Sequence, residues 1–233
     1  MGRGNSWWTR ETAGAPHWMV IVVLALAAAV VGVPLTVNLS QPVEAYSPKP
    51  RPSQTISTPH VVAFVGDSYT HGEGSTSRLL RWSSLVADDR GWVEANLGVG
   101  GSGYVNGDAY VNRLDALVLA HPDTVIVSGG RNDIWHDPET VGAAASDLIA
   151  AVRERATSAE ILILNPWWDD DVAPDTLLAV ADQIRAAAAR AGVTYLETGQ
   201  PLLGNPATVI EDGVHPSDAR HRAIADAVLA ALR

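Results

Sequence analysis

Short apolar runs alternate with longer stretches of helical periodicity along residues 60–233. Strands are predicted at residues 61–65, 92–96, 124–128, 161–164 and 193–196, of which the second is short and contains Glu94 and Asn96. Uninterrupted runs rich in β-branched residues are typical of strands buried on both faces of a parallel sheet. Apolar residues recur at helical spacing over residues 76–87, 108–120, 138–155, 174–191 and 217–232. The alternation predicts an α/β domain in which helices cover both faces of a five-stranded parallel sheet.

Polar, glycine-rich or aromatic segments follow four of the predicted strands. Ser68 follows the first strand, and a glycine-dense segment, residues 98–103, follows the second. Asn132 follows the third strand, and the pair Trp167-Trp168 follows the fourth. The loops after parallel strands meet at the carboxyl edge of the sheet, where open α/β sheets bind ligands. These residues are therefore expected to converge, although Ser68 alone is equally interpreted as the N-cap of the next helix.

The front of the chain carries an uncharged run of 20 residues, 18–37. A helix of this length crosses a hydrocarbon core of about 30 Å. Arg3 and Arg10 precede the run, so the positive-inside rule places the N-terminus in the cytoplasm and the rest of the chain outside. A cleaved signal segment with small residues near Val43 and Ala45, giving a secreted protein, is left open.

Composition divides the chain and excludes some functions. Residues 38–59 are rich in Pro, Ser and Thr and are predicted to form an extended linker. The predicted organisation is thus a cytoplasmic tail (1–17), the membrane anchor or signal segment, the linker, and a folded domain (60–233). There is no cysteine, which excludes disulfides and thiolate chemistry. The chain has a net charge of −10, with about +2 on residues 1–59 and about −12 on the domain, so no nucleic-acid partner is predicted.

Asp212 and His215 stand three residues apart just before the last predicted helix. A carboxylate that accepts a hydrogen bond from one nitrogen of an imidazole orients the ring. The other ring nitrogen can then take a proton from a hydroxyl. Ser68 would be such a hydroxyl, and a carbonyl that it attacks needs donors for the developing oxyanion. The Ser68 amide, the glycine-dense segment and the Asn132 side chain can provide them. An Asp and a His at this spacing are also found as plain capping or surface residues.

Four blocks of sequence, in order, carry a resemblance to a known family. They are Gly66-Asp67-Ser68, Asn96-Leu97-Gly98-Val99-Gly100-Gly101, Gly130-Arg131-Asn132-Asp133 and Asp212-Gly213-Val214-His215-Pro216. Together they resemble the SGNH (GDSL-type) hydrolases over about residues 60–233. The resemblance implies a three-layer α/β/α, flavodoxin-like fold and a serine ester hydrolase. The serine does not lie in a GxSxG elbow, which disfavours the α/β-hydrolase fold.

The same resemblance assigns roles to individual residues. It implies Ser68 as nucleophile, His215 as base and Asp212 as the residue that orients the base. It implies an oxyanion hole formed by the Ser68 amide, Gly101 and Asn132, where Gly101 is chosen because it matches the spacing of the family's glycine block. No cofactor is predicted. No metal is predicted either, because the acidic run 169–171 is typical of a solvated loop.

The substrate is less closely defined by the sequence. Trp135, Trp167 and Trp168 fall in two loops expected near the site and are predicted to contact substrate, although core packing also explains single tryptophans. Together with the predicted extracytoplasmic setting, the three tryptophans favour a substrate that is a short acyl ester on a carbohydrate or envelope glycan. An O-acyltransferase, a lipase or a thioesterase would use the same triad, and a non-catalytic envelope-binding module is a further alternative. The oligomeric state is not predicted.

Overall fold

A parallel sheet of five strands forms the centre of the domain. The computed structural model describes residues 58–204 and 213–233, and the statements below concern these residues. The strands are β1 (Val61–Gly66), β2 (Val93–Gly98), β3 (Thr124–Val127), β4 (Glu160–Leu164) and β5 (Thr194–Leu196). They are ordered β2-β1-β3-β4-β5 and every neighbouring pair is parallel. This is the flavodoxin-like order, and it confirms the predicted parallel sheet.

Six α-helices accompany the strands. They are α1 (Ser68–His71), α2 (Trp82–Arg90), α3 (Leu114–Ala120), α4 (Pro138–Arg155), α5 (Asp175–Ala191) and α6 (Asp218–Ala231). The helix predicted over residues 76–87 instead divides into a 3₁₀ turn, Arg78–Leu80, and α2, because Arg81 between them has extended backbone angles. Residues 108–120 also contain a 3₁₀ turn, Tyr110–Arg113, which continues directly into α3.

The strands bury apolar side chains on both faces and so separate two cores. Ala63 and Val65 of β1 belong to the core that α3, α4 and α5 cover. Val62 and Phe64 belong to the core that α2 and α6 cover, where Trp82 is fully buried. Side chains of a strand alternate between faces, so one strand supplies both cores. The result is the three-layer α/β/α sandwich that the sequence predicted.

The segment predicted to be an anchor or signal, residues 18–37, lies outside the described residues. Within residues 58–204 and 213–233, no helix is long and apolar enough to cross a membrane.

Candidate active site

The turn that follows β1 places Ser68 at the carboxyl edge of the sheet. Asp67 caps α1, because its Oδ1 accepts a hydrogen bond of 2.9 Å from the Tyr69 amide. Ser68 is therefore the first residue of the helix and is 8% exposed. The interpretation of Ser68 as the cap is wrong, since its neighbour fills that position. We call residues 66–74 the β1 turn.

The β1 turn lies against the ends of the neighbouring strands. A Cβ at Gly66 would overlap the Thr70 side chain and approach the Ser128 carbonyl oxygen to 2.7 Å. The Thr70 and Ser128 hydroxyls are 2.6 Å apart and buried. Asn96 of β2 donates from Nδ2 to the Thr70 carbonyl oxygen at 2.6 Å. Only glycine permits this close approach, and the contacts fix the backbone on which Ser68 lies.

The glycine loop, residues 98–107, is held by a buried carboxylate. Asp133 is fully buried and accepts three backbone N–H groups at 2.9 Å, from Tyr104, Val105 and Asn106. A Cβ at Gly103 would lie 2.5 Å from the Asp133 carboxylate. These contacts show that Asp133 fixes the glycine loop.

The predicted oxyanion donors lie on this loop and beside it. The Asn132 amide nitrogen donates to the Ser102 carbonyl oxygen at 2.8 Å, and an amide nitrogen carries two hydrogens, so one remains for a ligand. Ser102 Oγ lies 3.2 Å from the Gly66 carbonyl oxygen, which links the loop to the end of β1. Gly101 has a φ of 71°, and among the described residues no acceptor is recorded for its amide. The geometry thus brings Asn132 and the loop that carries Gly101 to the β1 turn.

His215 lies in a segment, residues 213–217, that is fastened to the β1 turn and that we call the histidine loop. The Tyr69 hydroxyl donates to the Val214 carbonyl oxygen at 2.8 Å. The ring centroids of Tyr69 and His215 are 6.3 Å apart. Nε2 of His215 lies 2.9 Å from Oε2 of Glu73. Asp212, the predicted orienting residue, lies outside the described residues.

A second tie joins the same two segments through the start of α6. Asp218 accepts a hydrogen bond from the Thr76 amide at 2.8 Å and another from the Thr76 hydroxyl at 2.6 Å. Both bonds join the chain just after the β1 turn to the chain just after the histidine loop. The predicted nucleophile and the predicted base therefore lie on segments that are bonded to each other.

Burial sets the protonation of three groups around the β1 turn. Burial raises the pKa of Asp67 to about 6 and the pKa of Tyr69 to about 12. Burial also lowers the pKa of His221 to about 4. A neutral His221 fits its contacts, since Nδ1 accepts from the Trp82 amide at 3.3 Å while Nε2 donates to the Glu73 carbonyl oxygen at 3.2 Å. His221, on α6, therefore supports the β1 turn through its contact with Glu73.

The three tryptophans predicted to contact substrate have different environments. Trp167 is 3% exposed, packs edge-on against Trp82 and donates to the Thr198 hydroxyl at 2.7 Å, so its ring packs the core. Trp135 is 88% exposed. Trp135 and Trp168 line a cleft of about 290 Å³ together with Asn132. Two of the three rings thus border a predicted oxyanion donor.

An arginine orders the floor of that cleft. The Arg131 guanidinium lies 3.9 Å from the centroid of the Trp168 ring, and it also pairs with Asp169 at 3.0 Å. Asp170 pairs with the buried Arg220 at 3.3 Å. The first two carboxylates of the acidic run are thus engaged by arginines. Within the described part of the chain, no group of three or more His, Asp or Glu side chains is placed to hold a metal ion.

Sequence reasoning did not identify Glu73 as a residue of the site. Its position between two glycines in a polar segment just after Ser68 was the available signal. Tyr69 and Val214 are 145 positions apart in the sequence. The contact of Glu73 with His215 could not be predicted, because only the folded chain brings the β1 turn and the histidine loop together.

Three features meet at this edge of the sheet: a serine just after the first strand, a histidine loop bonded to the turn of that serine, and donors on two neighbouring loops. Together they define a serine ester hydrolase on a flavodoxin-like sheet. Comparison with known proteins agrees, since residues 64–223 match the model of the GDSL-like lipase/acylhydrolase family. The chain belongs to this family, as its four sequence blocks indicated.

Individual relatives show the same relationship. The chain is 31% identical over 185 residues to the GDSL lipase Rv0518 of Mycobacterium tuberculosis, covering 72% of this chain and 79% of the relative. Its fold is similar to that of the carbohydrate acetylesterase Est24 from Sinorhizobium meliloti, with a TM-score of 0.58, 18% identity and coverage of 75% and 100%. It is also similar to a family two carbohydrate esterase from Clostridium thermocellum, solved with cellohexaose, with a TM-score of 0.60, 19% identity and coverage of 75% and 64%. At these identities the two structures support the fold.

Proposed function

We propose that this hydrolase cleaves a short acyl ester of a carbohydrate through a Ser68–His215–Asp212 triad and an acyl-enzyme. The observation that carries the proposal is the bond between the Tyr69 hydroxyl and the Val214 carbonyl oxygen, which ties the residue after Ser68 to the residue before His215. A nucleophile and its base have to be held at hydrogen-bonding distance for the proton to move.

In the acylation step, His215 takes the proton of the Ser68 hydroxyl while Oγ forms a bond to the ester carbonyl carbon. The π electrons of the carbonyl move to its oxygen, and the resulting charge is bound by the amides of Ser68 and Gly101 and by the Asn132 side chain. The intermediate then breaks the bond to the alcohol oxygen, which leaves with the proton from His215. Asp212 orients the imidazole and stabilises its charged form.

Deacylation repeats the same sequence with water. His215 takes a proton from a water molecule, and the oxygen of that water attacks the acyl carbon. Collapse of the second oxyanion breaks the bond to Oγ of Ser68, which recovers its proton from His215. The products are the free acid and the original serine, so no cofactor is required.

The cleft beside Asn132 supports a carbohydrate substrate. The exposed Trp135 ring offers a face on which a sugar ring can stack. The half-buried Trp168 ring, one face of which is covered by Arg131, lines the same cleft. Two structural neighbours are described as carbohydrate esterases, one of them solved with cellohexaose.

We further propose that residues 18–37 hold the enzyme at a membrane with its domain outside the cytoplasm. The support is the uncharged run of 20 residues with arginines before it. Digestion of the domain by a protease added to intact cells is expected, and complete protection in intact cells would contradict this placement.

The test of the nucleophile is substitution of its hydroxyl in the full-length protein. With 4-nitrophenyl acetate, Ser68→Ala should lower kcat/KM by at least about a thousandfold, because triad members act as a unit. Ser158→Ala serves as the matched control, since Ser158 is exposed and follows the far end of α4. Unchanged hydrolysis by a folded Ser68→Ala variant would overturn the assignment.

A further inference from the structure

The backbone of the β1 turn fixes the position of Glu73. Gly72 and Gly74, on either side of it, have φ angles of 96° and 87°, which favour glycine. The Glu73 amide donates to the Ser68 carbonyl oxygen at 3.0 Å, and its own carbonyl oxygen accepts from Nε2 of His221 at 3.2 Å. The side chain therefore starts from a backbone that is bonded on one side to the predicted nucleophile.

The Glu73 carboxylate lies between the histidine loop and the glycine loop. Its Oε2 is 2.9 Å from Nε2 of His215. Its Oε1 lies where a Cβ of residue 100 would be, so Gly100 leaves room for it. The Glu73 side chain is 39% exposed and the His215 side chain is 21% exposed, so the pair borders solvent.

This position is the one that the alcohol half of an ester occupies during the reaction. In the proposed mechanism, the His215 imidazole donates its proton to the alcohol oxygen. That oxygen must therefore come within hydrogen-bonding distance of the imidazole nitrogen. The Glu73 carboxylate already lies at hydrogen-bonding distance from Nε2. Substituents on the alcohol therefore lie beside a carboxylate, which binds hydrogen-bond donors and cations strongly and repels anions.

We propose that Glu73 is a specificity-determining residue that selects alcohols carrying a hydroxyl or a cationic group close to the ester oxygen. Such a group becomes the partner of the carboxylate in place of His215. Nε2 of His215, which releases its own proton to solvent, can then take the proton of Ser68. An alcohol with neither group leaves the Glu73–His215 pair in place and reacts slowly. The inference rests on the proposed triad, since it concerns the leaving-group side of the same site.

Two matched pairs of acetate esters test the proposal on the full-length protein. Glycerol 1-acetate and n-propyl acetate share the acyl group and the carbon chain and differ in two hydroxyls. Acetylcholine and 3,3-dimethylbutyl acetate share their shape and differ in one positive charge. The wild type should favour the first member of at least one pair by about tenfold in kcat/KM, the scale of one hydrogen bond to a charged group.

In Glu73→Gln, which keeps the size of the side chain and removes its charge, that preference should fall to near unity. The kcat for the apolar ester should rise, because a neutral amide oxygen binds the Nε2 proton of His215 more weakly than a carboxylate does. The KM for the favoured ester should rise, because the same amide binds its hydroxyl or cationic group more weakly. Glu154→Gln, an exposed change at the far end of α4, should leave both ratios as in the wild type.

Each outcome has a separate meaning. Loss of preference in the glycerol pair identifies a hydrogen-bond donor, and loss in the choline pair identifies a cation. A wild type without either preference, ratios unchanged in Glu73→Gln, or an equal loss of activity on all four esters would overturn the role of Glu73. Ser68→Ala, assayed alongside, should be inactive on every ester, and activity there would overturn the triad instead.

Discussion

Two buried carboxyls near Ser68 differ in what they bind. Asp67 accepts the Tyr69 amide, and burial raises the pKa of its carboxyl to about 6. Asp133 accepts three amides of the glycine loop. Desolvation of a carboxyl group favours its neutral form. The Asp67 carboxyl therefore titrates in a range where the stability of the domain can be measured.

The substitution Asp67→Asn should change how stability depends on pH. The pKa of Asp67 is higher in the folded protein than its ordinary value of 3.8, so the folded state binds this proton more tightly. Its contribution to stability is therefore greatest at low pH and is lost as the pH rises through about 6. The loss is on the order of 3 kcal/mol, at about 1.4 kcal/mol per pKa unit.

Asparagine keeps an oxygen for the Tyr69 amide and does not titrate. Relative to the wild type, Asp67→Asn should therefore gain unfolding free energy between pH 4 and pH 7, as measured by urea unfolding. Titration of other groups, His221 among them, cancels in the difference between the two proteins. Stability curves that stay parallel over this range would contradict the titration of Asp67.

The glycine loop shows how an element is positioned for chemistry. It has no regular secondary structure between Gly98 and Tyr110, yet Asp133 from the loop after β3 binds three successive amides of it. Asn132, next to Asp133, binds the Ser102 carbonyl oxygen. One short segment after β3 thus both holds the loop and supplies a donor beside it.

Loosening the loop should reduce catalysis more than substrate binding. Asp133→Asn replaces one acceptor oxygen by a donor, so at least one of the three amides loses its partner at a cost of about 1–3 kcal/mol. Because oxyanion donors act mainly in the transition state, kcat should fall by more than about tenfold while KM changes little. Steady-state kinetics and urea unfolding measure the two effects. A destabilised variant with wild-type kcat would show that the loop does not depend on Asp133 for its catalytic position.

Elements with strong patterns were predictable, and those set by local polar contacts were not. The five strands appear within two residues of their predicted bounds, and α4 at its predicted ends, because apolar runs and an amphipathic face with a proline at its start leave little choice. Helix α1 was not predicted, since a four-residue polar helix capped by Asp67 has no periodicity to detect.

At the scale of the whole molecule, the strand order brings the site together. The β1 turn, the glycine loop and the segment that carries Asn132 all follow strands at the carboxyl edge, as topology predicted. The contacts made across that edge were not predictable, because the pairing of Glu73 with His215 depends on distances between loops. The family resemblance implied which residues carry out the chemistry, whereas the contacts that hold their segments became visible only in the fold.

The central claim is that Ser68 is the group that becomes acylated, and covalent labelling measures this most directly. The full-length protein treated with a fluorophosphonate ester should gain one phosphonyl group, lose its esterase activity in proportion, and carry the added mass on the peptide that contains Ser68. Ser68→Ala should remain unlabelled, and His215→Ala should label more slowly by orders of magnitude. A label on a different residue, or full activity after stoichiometric labelling of Ser68, would contradict the account.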